Sequence, residues 1–114
     1  MLAQKNRFHG HSSLKYVYRN GDASRSRLFV IKAIQNTRRR ETRCSVVVSK
    51  KVLKSAVGRN RIRRRIYHIL HEEIERLTTP YDIVVIVYSS EVRSLPFEEL
   101  RTHIKSQLAD VGAA

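Results

Sequence analysis

The residues best suited to chemistry in this chain are five arginines within seven positions, residues 59–65, in the sequence RNRIRRR. A guanidinium presents a planar fork of donors and stays charged at any cellular pH, which suits it to binding phosphates. No acidic residue lies within the stretch. Because a merely solvated face usually mixes both signs, the stretch favours a surface that binds a polyanion.

Apolar residues recur through the same stretch at the spacing of one helical face, which predicts a long helix over about 55–77 with Ser55 as its N-cap. The apolar positions are Ile62, Ile66, Ile69, Leu70, Ile74 and Leu77. At about 100° per residue, the opposite side holds Asn60, Arg61, Arg64, Arg65 and His68, while Arg59 and Arg63 flank the stripe. The arginines are therefore expected to lie on a rigid helix, preceded by a basic loop that contains Lys50, Lys51 and Lys54.

Catalytic chemistry is not expected from the chain itself. A two-metal nuclease needs clustered carboxylates to hold its ions, and none lies within the basic stretch. His68, His71, Glu72 and Glu75 recur at i, i+3, i+4 and i+7 and could be drawn as a metal site. The same spacing describes the exposed side of an amphipathic helix, which is the interpretation we favour.

Composition limits the class of protein. The 114 residues suit one domain, predicted over 1–114 with flexible ends at 1–10 and 110–114. The net charge of +13 indicates an anionic partner, nucleic acid first and an anionic membrane second. No segment approaches the roughly 20 apolar residues of a membrane span. The single cysteine, Cys44, permits no internal disulfide and fits a reducing cytoplasm, and its place in a strand predicts a buried side chain.

The remaining periodicities predict an α+β fold in the order α-β-β-β-α-β-α, with helices on a single-layer, mostly antiparallel sheet of about four strands. A short helix runs from Ser12 or Ser13 to about Arg19 and stops at Gly21. The other predicted elements are a very short edge strand within 22–27, strands at 28–34, 43–49 and 81–88, a hairpin loop at 35–41, a loop at 89–95 and a last helix from Pro96 to just before Gly112. Strand 81–88 is apolar on both faces, which predicts a central position.

Over about residues 5–108 the chain resembles the protein subunit of bacterial ribonuclease P. The most specific part is Val48-Ser49-Lys50-Lys51-Val52, a short basic loop, and then Arg59-Asn60-Arg61-Ile62-Arg63-Arg64. The resemblance implies a left-handed strand–helix–strand crossover. It also implies a role in removing the 5′ leader of precursor tRNA, with the catalytic centre and its Mg²⁺ in an RNA subunit.

The resemblance also implies two binding surfaces. The predicted RNA-subunit surface comprises Lys50, Lys51, Lys54, Arg59, Asn60, Arg61, Arg63, Arg64 and Arg65. The predicted leader cleft comprises Leu14, Tyr18 and Lys32. Leu14 departs from the frequent phenylalanine of the family, and Leu53 stands where glycine is common. Tyr18 also suits plain packing in a core, so both interpretations stay open.

The expected partners are the catalytic RNA and precursor tRNA, in the cytoplasm, with no membrane, no obligate protein partner and no organic cofactor. The main alternative is a ribosomal or ribosome-assembly protein, which would share a basic helix on a small α+β fold. An autonomous endoribonuclease would cleave with no RNA subunit present. A DNA-binding module is weaker, since no helix-turn-helix pair or zinc spacing occurs in the sequence.

Overall fold

The computed structural model describes residues 11–36 and 40–113, so the predicted flexible segment 1–10 lies outside the described residues. The helices are α1 (His11–Asn20), α2 (Ala56–Ile74) and α3 (Phe97–Asp110), and the strands are β1 (Asp22–Arg25), β2 (Phe29–Gln35), β3 (Arg43–Val48) and β4 (Tyr81–Val87). This order confirms the predicted α+β arrangement. A 3-10 helix, Ser90–Arg93, occupies part of the predicted 89–95 loop.

Within the described residues the four strands form one sheet in the order β1-β2-β4-β3. β1 and β2, and β2 and β4, pair antiparallel, whereas β3 and β4 pair parallel. The sheet is therefore mixed, with mostly antiparallel pairing. The hairpin predicted at 35–41 is wrong, because β4 lies between β2 and β3 and both pair with it. The hand of the β3–α2–β4 crossover stays a prediction.

The main core lies between one face of the sheet and the helices α2 and α3. The predicted stripe of α2 supplies four fully buried side chains, and each is worth about 1.5–3 kcal/mol relative to exposure. These four are Ile62, Ile66, Ile69 and Leu70. From the strands, the alternate residues Phe29, Ile31, Ala33, Cys44, Val46, Val48, Ile83, Val85 and Val87 face them.

The predicted strand 28–34 begins one residue later in the structure, and Leu28 does not alternate with Phe29. The chain bends at residues 27 and 28 before β2 begins, so the strict alternation of a strand does not apply there. Leu28 packs instead in the main core beside Phe29.

Among residues 11–36 and 40–113, only α1 covers the opposite face of the sheet. Val17 of α1 and Val84 of β4 are both fully buried there, with Leu14, Ile34, Val47 and Ile86 packed around them. Gly21 ends the helix where the backbone passes very close to β2. A Cβ atom at Gly21 would lie 2.7 Å from the Val17 carbonyl oxygen and 3.0 Å from that of Ala33. In the described part of the chain, this one short helix leaves a groove beside Leu14.

Residues 111–113 pack onto the fold, at the end that the sequence analysis predicted to be flexible. Gly112 has φ +79°, and its N–H donates to the Ala109 carbonyl while the Ala113 N–H donates to that of Leu108. This is the glycine-ended helix stop known as the Schellman motif. Val111 and Ala113 are buried in the main core. Gly112, just past the apolar stripe, predicted where the helix ends. No sequence pattern predicted that the residues around it would pack in the core.

Candidate nucleic-acid interface

The first turn of α2 is fixed to the basic loop that precedes it. Ser55 caps the helix, and its hydroxyl oxygen accepts from the Gly58 N–H at 3.1 Å. A Cβ atom at Gly58 would lie 2.6 Å from the end of the Leu53 side chain, so glycine lets Leu53 pack against the helix. Arg59 Nη1 donates to the carbonyl oxygens of Leu53 at 2.9 Å and Lys54 at 2.7 Å. The loop and the helix therefore present their charges from one ordered unit.

The second turn of α2 is tied to the exit of β3. Arg63 Nη1 donates to Asn60 Oδ1 at 2.8 Å, and Arg63 Nη2 donates to the Val48 carbonyl oxygen at 3.4 Å. One turn further on, the Tyr67 hydroxyl accepts from the Val46 N–H at 3.1 Å. Because β3 is an edge strand, these contacts also cover backbone groups that would otherwise be open to another chain.

Two arginines of α2 extend from this unit into solvent. Arg61 and Arg64 are exposed, and within the described part of the chain neither forms an ion pair with an acidic side chain. Lys50, Lys51 and Lys54 of the loop are exposed as well. The structure thus brings the predicted cations of the loop and of the helix onto adjoining segments, and they are available to an anionic partner.

Arg65 was predicted to share this exposed side, and that placement is wrong. Its Nη1 donates to the Val92 carbonyl oxygen at 2.6 Å and its Nη2 donates to that of Leu95. Burial, and secondarily the charge of Arg61, lowers the pKa of the Arg65 guanidinium from its ordinary value. Helical periodicity could not predict this contact, because it depends on the segment 89–95 folding over the flank of α2.

The first part of the predicted leader cleft lies between α1 and the edge strand β3. Leu14 lines a groove of about 470 Å³ there together with Ser45, Val46, Val47, Val48, Arg63 and Tyr67. The groove therefore runs from Leu14, on the sheet-facing side of α1, to Arg63 of α2. Leu14 supplies an aliphatic wall at this point, where the resembled family often has an aromatic ring.

The other two residues predicted for the cleft, Tyr18 and Lys32, contact each other but do not line that groove. Lys32 Nζ donates to the Tyr18 carbonyl oxygen at 3.3 Å and lies 5.4 Å from the centre of the Tyr18 ring. Burial, and secondarily Tyr88, raises the pKa of the Tyr18 hydroxyl. Tyr18 is 37% exposed, whereas Val17 beside it is fully buried, so Val17 rather than Tyr18 is the core residue of this helix.

His68 and Glu72 of α2 lie at the junction with α3. Arg101 Nη1 of α3 lies 2.7 Å from Glu72 Oε2, and His68 Nε2 lies 3.2 Å from Glu72 Oε1. His68 also meets the ring of Phe97 edge to face at 5.5 Å. In the part of the chain that the structure describes, no three histidine, cysteine or acidic residues are grouped to hold a metal ion.

Tyr88 was not selected from the sequence, although it is 56% exposed directly after β4. The available signal was alternation: Ile83, Val85 and Val87 face the main core, so the residue after Val87 falls on the opposite side.

Among the described helices, none combines the length and the apolar character needed to cross a membrane.

Comparison with known proteins adds independent information. Residues 2–112 match the model of the family described as Ribonuclease P. The chain is 36% identical over 110 residues to the ribonuclease P protein component of Pseudanabaena sp., covering 96% of this chain and 93% of that protein. It is 30% identical over 104 residues to the ribonuclease P protein component of Bacillus velezensis, covering 91% and 87%.

Solved structures show the same fold. The RNase P protein of Staphylococcus aureus superposes with a TM-score of 0.79 at 24% identity, covering 93% of this chain and 96% of that one. The RNase P protein of Thermotoga maritima superposes with a TM-score of 0.75 at 22% identity, covering 88% and 92%. At these identities the superpositions support the architecture alone.

Proposed function

The chain belongs to the ribonuclease P protein family, and from this premise we propose that its basic surface clamps the catalytic RNA while the cleft beside α1 holds the 5′ leader of precursor tRNA. As a ribonuclease P protein component, the chain is a subunit of an endoribonuclease ribonucleoprotein whose catalytic centre lies in the RNA. Family membership supports this function over a ribosomal protein and over an autonomous nuclease.

The proposed RNA-subunit surface consists of Lys50, Lys51, Lys54, Arg59, Asn60, Arg61, Arg63 and Arg64. The observation that carries the proposal is the exposure of Arg61 and Arg64 on a helix whose opposite side is fully buried. Charges held on a rigid rod can meet several phosphates of a folded RNA at once. Because phosphate contacts release counterions, the affinity should fall steeply with salt and depend little on base sequence.

The arginines of α2 differ in how many of their N–H groups are already bonded to the protein. Arg59 and Arg63 each use part of their five N–H donors on backbone or side-chain oxygens of the protein. Their remaining donors are thereby held in a fixed position from which they can bind phosphate. Arg61 and Arg64 provide exposed charges that form no ion pair within the described residues. Both terminal nitrogens of Arg65 donate to carbonyl oxygens, so we propose that Arg65 holds the segment 89–95 in place.

The proposed leader cleft combines an apolar wall, an aromatic ring and an ammonium group. Leu14 supplies the wall, Tyr18 offers a partly exposed ring, and Lys32 places its charge beside that ring. A base can stack on the tyrosine while the adjacent phosphate meets the lysine. Stacking accepts every base, so we expect weak sequence preference along the leader.

The metal ion and the cell compartment follow from the same proposal. The RNA of this family depends on a metal, and we propose that the metal is Mg²⁺ and is held by the RNA rather than by this chain. We place the protein in the cytoplasm, in keeping with a single, buried and unpaired cysteine. No organic cofactor and no obligate protein partner belong to the proposal.

Reconstituted cleavage tests the proposed function. A precursor tRNA is incubated with a bacterial ribonuclease P RNA at low Mg²⁺, with and without the protein, and the rate of leader removal is measured. We expect strong stimulation only when protein and RNA are both present, because the cations of the protein replace part of the metal that the RNA needs. Cleavage by the protein alone, or no stimulation with several different RNA subunits, would contradict the proposal.

A further inference from the structure

Tyr88 is an exposed aromatic side chain on a rigid backbone. Its N–H donates to the Leu28 carbonyl oxygen at 2.9 Å, so the extended backbone of the central strand continues through this residue. The ring is nevertheless 56% exposed. A large half-exposed ring on a fixed backbone loses little conformational freedom when a ligand stacks on it, which makes it suited to binding.

The position of Tyr88 joins the two surfaces described above. Alternation along β4 places it on the same face as Val84 and Ile86, the face crossed by α1. Tyr88 also contributes to raising the pKa of the Tyr18 hydroxyl, as expected for two nearby phenols. On its other side, β3 pairs with β4 up to Val48 and Val87, so Ser49 leaves β3 beside Tyr88.

We propose that Tyr88 is a stacking platform for an unpaired base of the RNA leader, at the point where the strand passes from the Tyr18–Lys32 end of the cleft to the basic exit of β3. The inference rests on the proposed function, and it adds a contact between two surfaces that would otherwise be separate. Tyr88 is a binding and positioning residue, because it holds the single strand between the clamp on the RNA subunit and the far end of the cleft.

The order of the contacts gives the inference a directional consequence. In the proposed function, Lys50 and Lys51 after β3 belong to the side that holds the catalytic RNA. Tyr18 contacts Lys32 of β2, and β2 lies on the other side of β4 from β3. A leader that leaves the cleavage point should therefore reach Tyr88 before it reaches Tyr18. The contribution of Tyr88 should appear at shorter leaders than the contribution of Tyr18.

The test measures the dissociation constant of precursor tRNA from the reconstituted holoenzyme, with leaders lengthened one nucleotide at a time and with a tRNA that has no leader. Tyr88→Ala should weaken binding of long-leader substrate about tenfold, within the range measured for a base on an aromatic ring. Tyr88→Phe keeps the ring and should bind like the native protein. The loss should be absent for tRNA without a leader.

Tyr16 provides a matched control. It is 57% exposed and belongs to α1, but it lies about 100° of helical rotation from Val17, away from Leu14 and Tyr18. Tyr16→Ala removes an equally exposed ring and should leave the leader effect unchanged. Thermal unfolding of each variant, compared with the native protein, separates a loss of binding from a loss of folding.

The outcomes separate this inference from the proposed function. If Tyr18→Ala reduces the leader effect but Tyr88→Ala does not, the inference about Tyr88 is overturned while the cleft remains. If Tyr88→Ala acts only at longer leaders than Tyr18→Ala, the placement of Tyr88 at the junction is wrong. If the native protein gives no added affinity for a leader of any length, the leader cleft and the inference built on it are both overturned.

Discussion

The buried ion pair of Arg43 and Asp82 should contribute strongly to the stability of the sheet. Asp82 is 4% exposed, and its two oxygens accept from Arg43 at 2.9 and 2.7 Å and from Asn36 at 2.9 Å. The three residues join β4, β3 and the chain just after β2. Asp82→Ala removes the carboxylate and leaves the guanidinium charge in a site where its side chain is only 12% exposed.

Breaking a buried pair on one side costs about 3–5 kcal/mol of unfolding free energy. At about 2.1 cal/mol/K per residue, the unfolding entropy of a chain this long makes each kcal/mol worth about 4 °C in Tm. Asp82→Ala should therefore lower the Tm by about 12–20 °C. Total stabilities of about 0.05–0.15 kcal/mol per residue leave most of this range compatible with a folded protein at room temperature.

Calorimetry or circular dichroism melts of Asp82→Ala measure the effect, with Asp110→Ala as the matched control. Asp110 also accepts a side-chain hydrogen bond, from Ser24 at 2.9 Å, but it is exposed. Its loss should cost no more than about 1.5 kcal/mol. A cost below about 1 kcal/mol for Asp82→Ala, or equal costs for the two variants, would refute the reasoning.

Three further changes have defined outcomes. Gly21→Ala should lower the unfolding free energy by about 1–3 kcal/mol in denaturant titrations, because its Cβ would overlap two backbone oxygens; unchanged stability would mean that α1 can shift freely. Arg65→Met should cost about 1–2 kcal/mol by leaving two carbonyl oxygens without their donor. Its RNA affinity should keep the native salt slope, and a flatter slope would return Arg65 to the interface. Burial, and secondarily Asp82, raises the pKa of the Cys44 thiol, so a thiol reagent should modify it only after unfolding; rapid reaction with the native protein at pH 8 would contradict the burial.

Element types and faces could be predicted wherever a local pattern determined them. The apolar stripe of α2 predicted a helix with one buried side, and the two apolar faces of β4 predicted a central strand. The structure confirms both predictions. Strand order was harder. The turn residues between β2 and β3 are equally compatible with a hairpin and with a wider connection, and only the insertion of β4 decides between them.

The sequence predicted the charged residues of the candidate site but not the hydrogen bonds that these residues form with the rest of the protein. The run of arginines and lysines predicts a phosphate-binding surface without any knowledge of the fold. The direction of each guanidinium does need one: Arg65 turns to the carbonyls of the segment 89–95, which lies about 30 residues further along the chain. Tyr88 was missed because its place on the face that α1 crosses follows only from the strand order and from the packing of α1 on the sheet.

The claim that α2 binds the catalytic RNA by neutralising phosphates is tested most directly by salt dependence. The affinity for the RNA subunit is measured over a range of salt concentrations for the native protein and for Arg61→Ala with Arg64→Ala. A control with equal loss of charge, Arg76→Ala with Lys105→Ala, removes one cation from beyond the end of α2 and one from α3. We expect the first variant to flatten the slope of log affinity against log salt by about 1.4–1.8, at about 0.7–0.9 per phosphate contact, and the control to keep the native slope. An unchanged slope for Arg61→Ala with Arg64→Ala would remove this helix from the RNA interface.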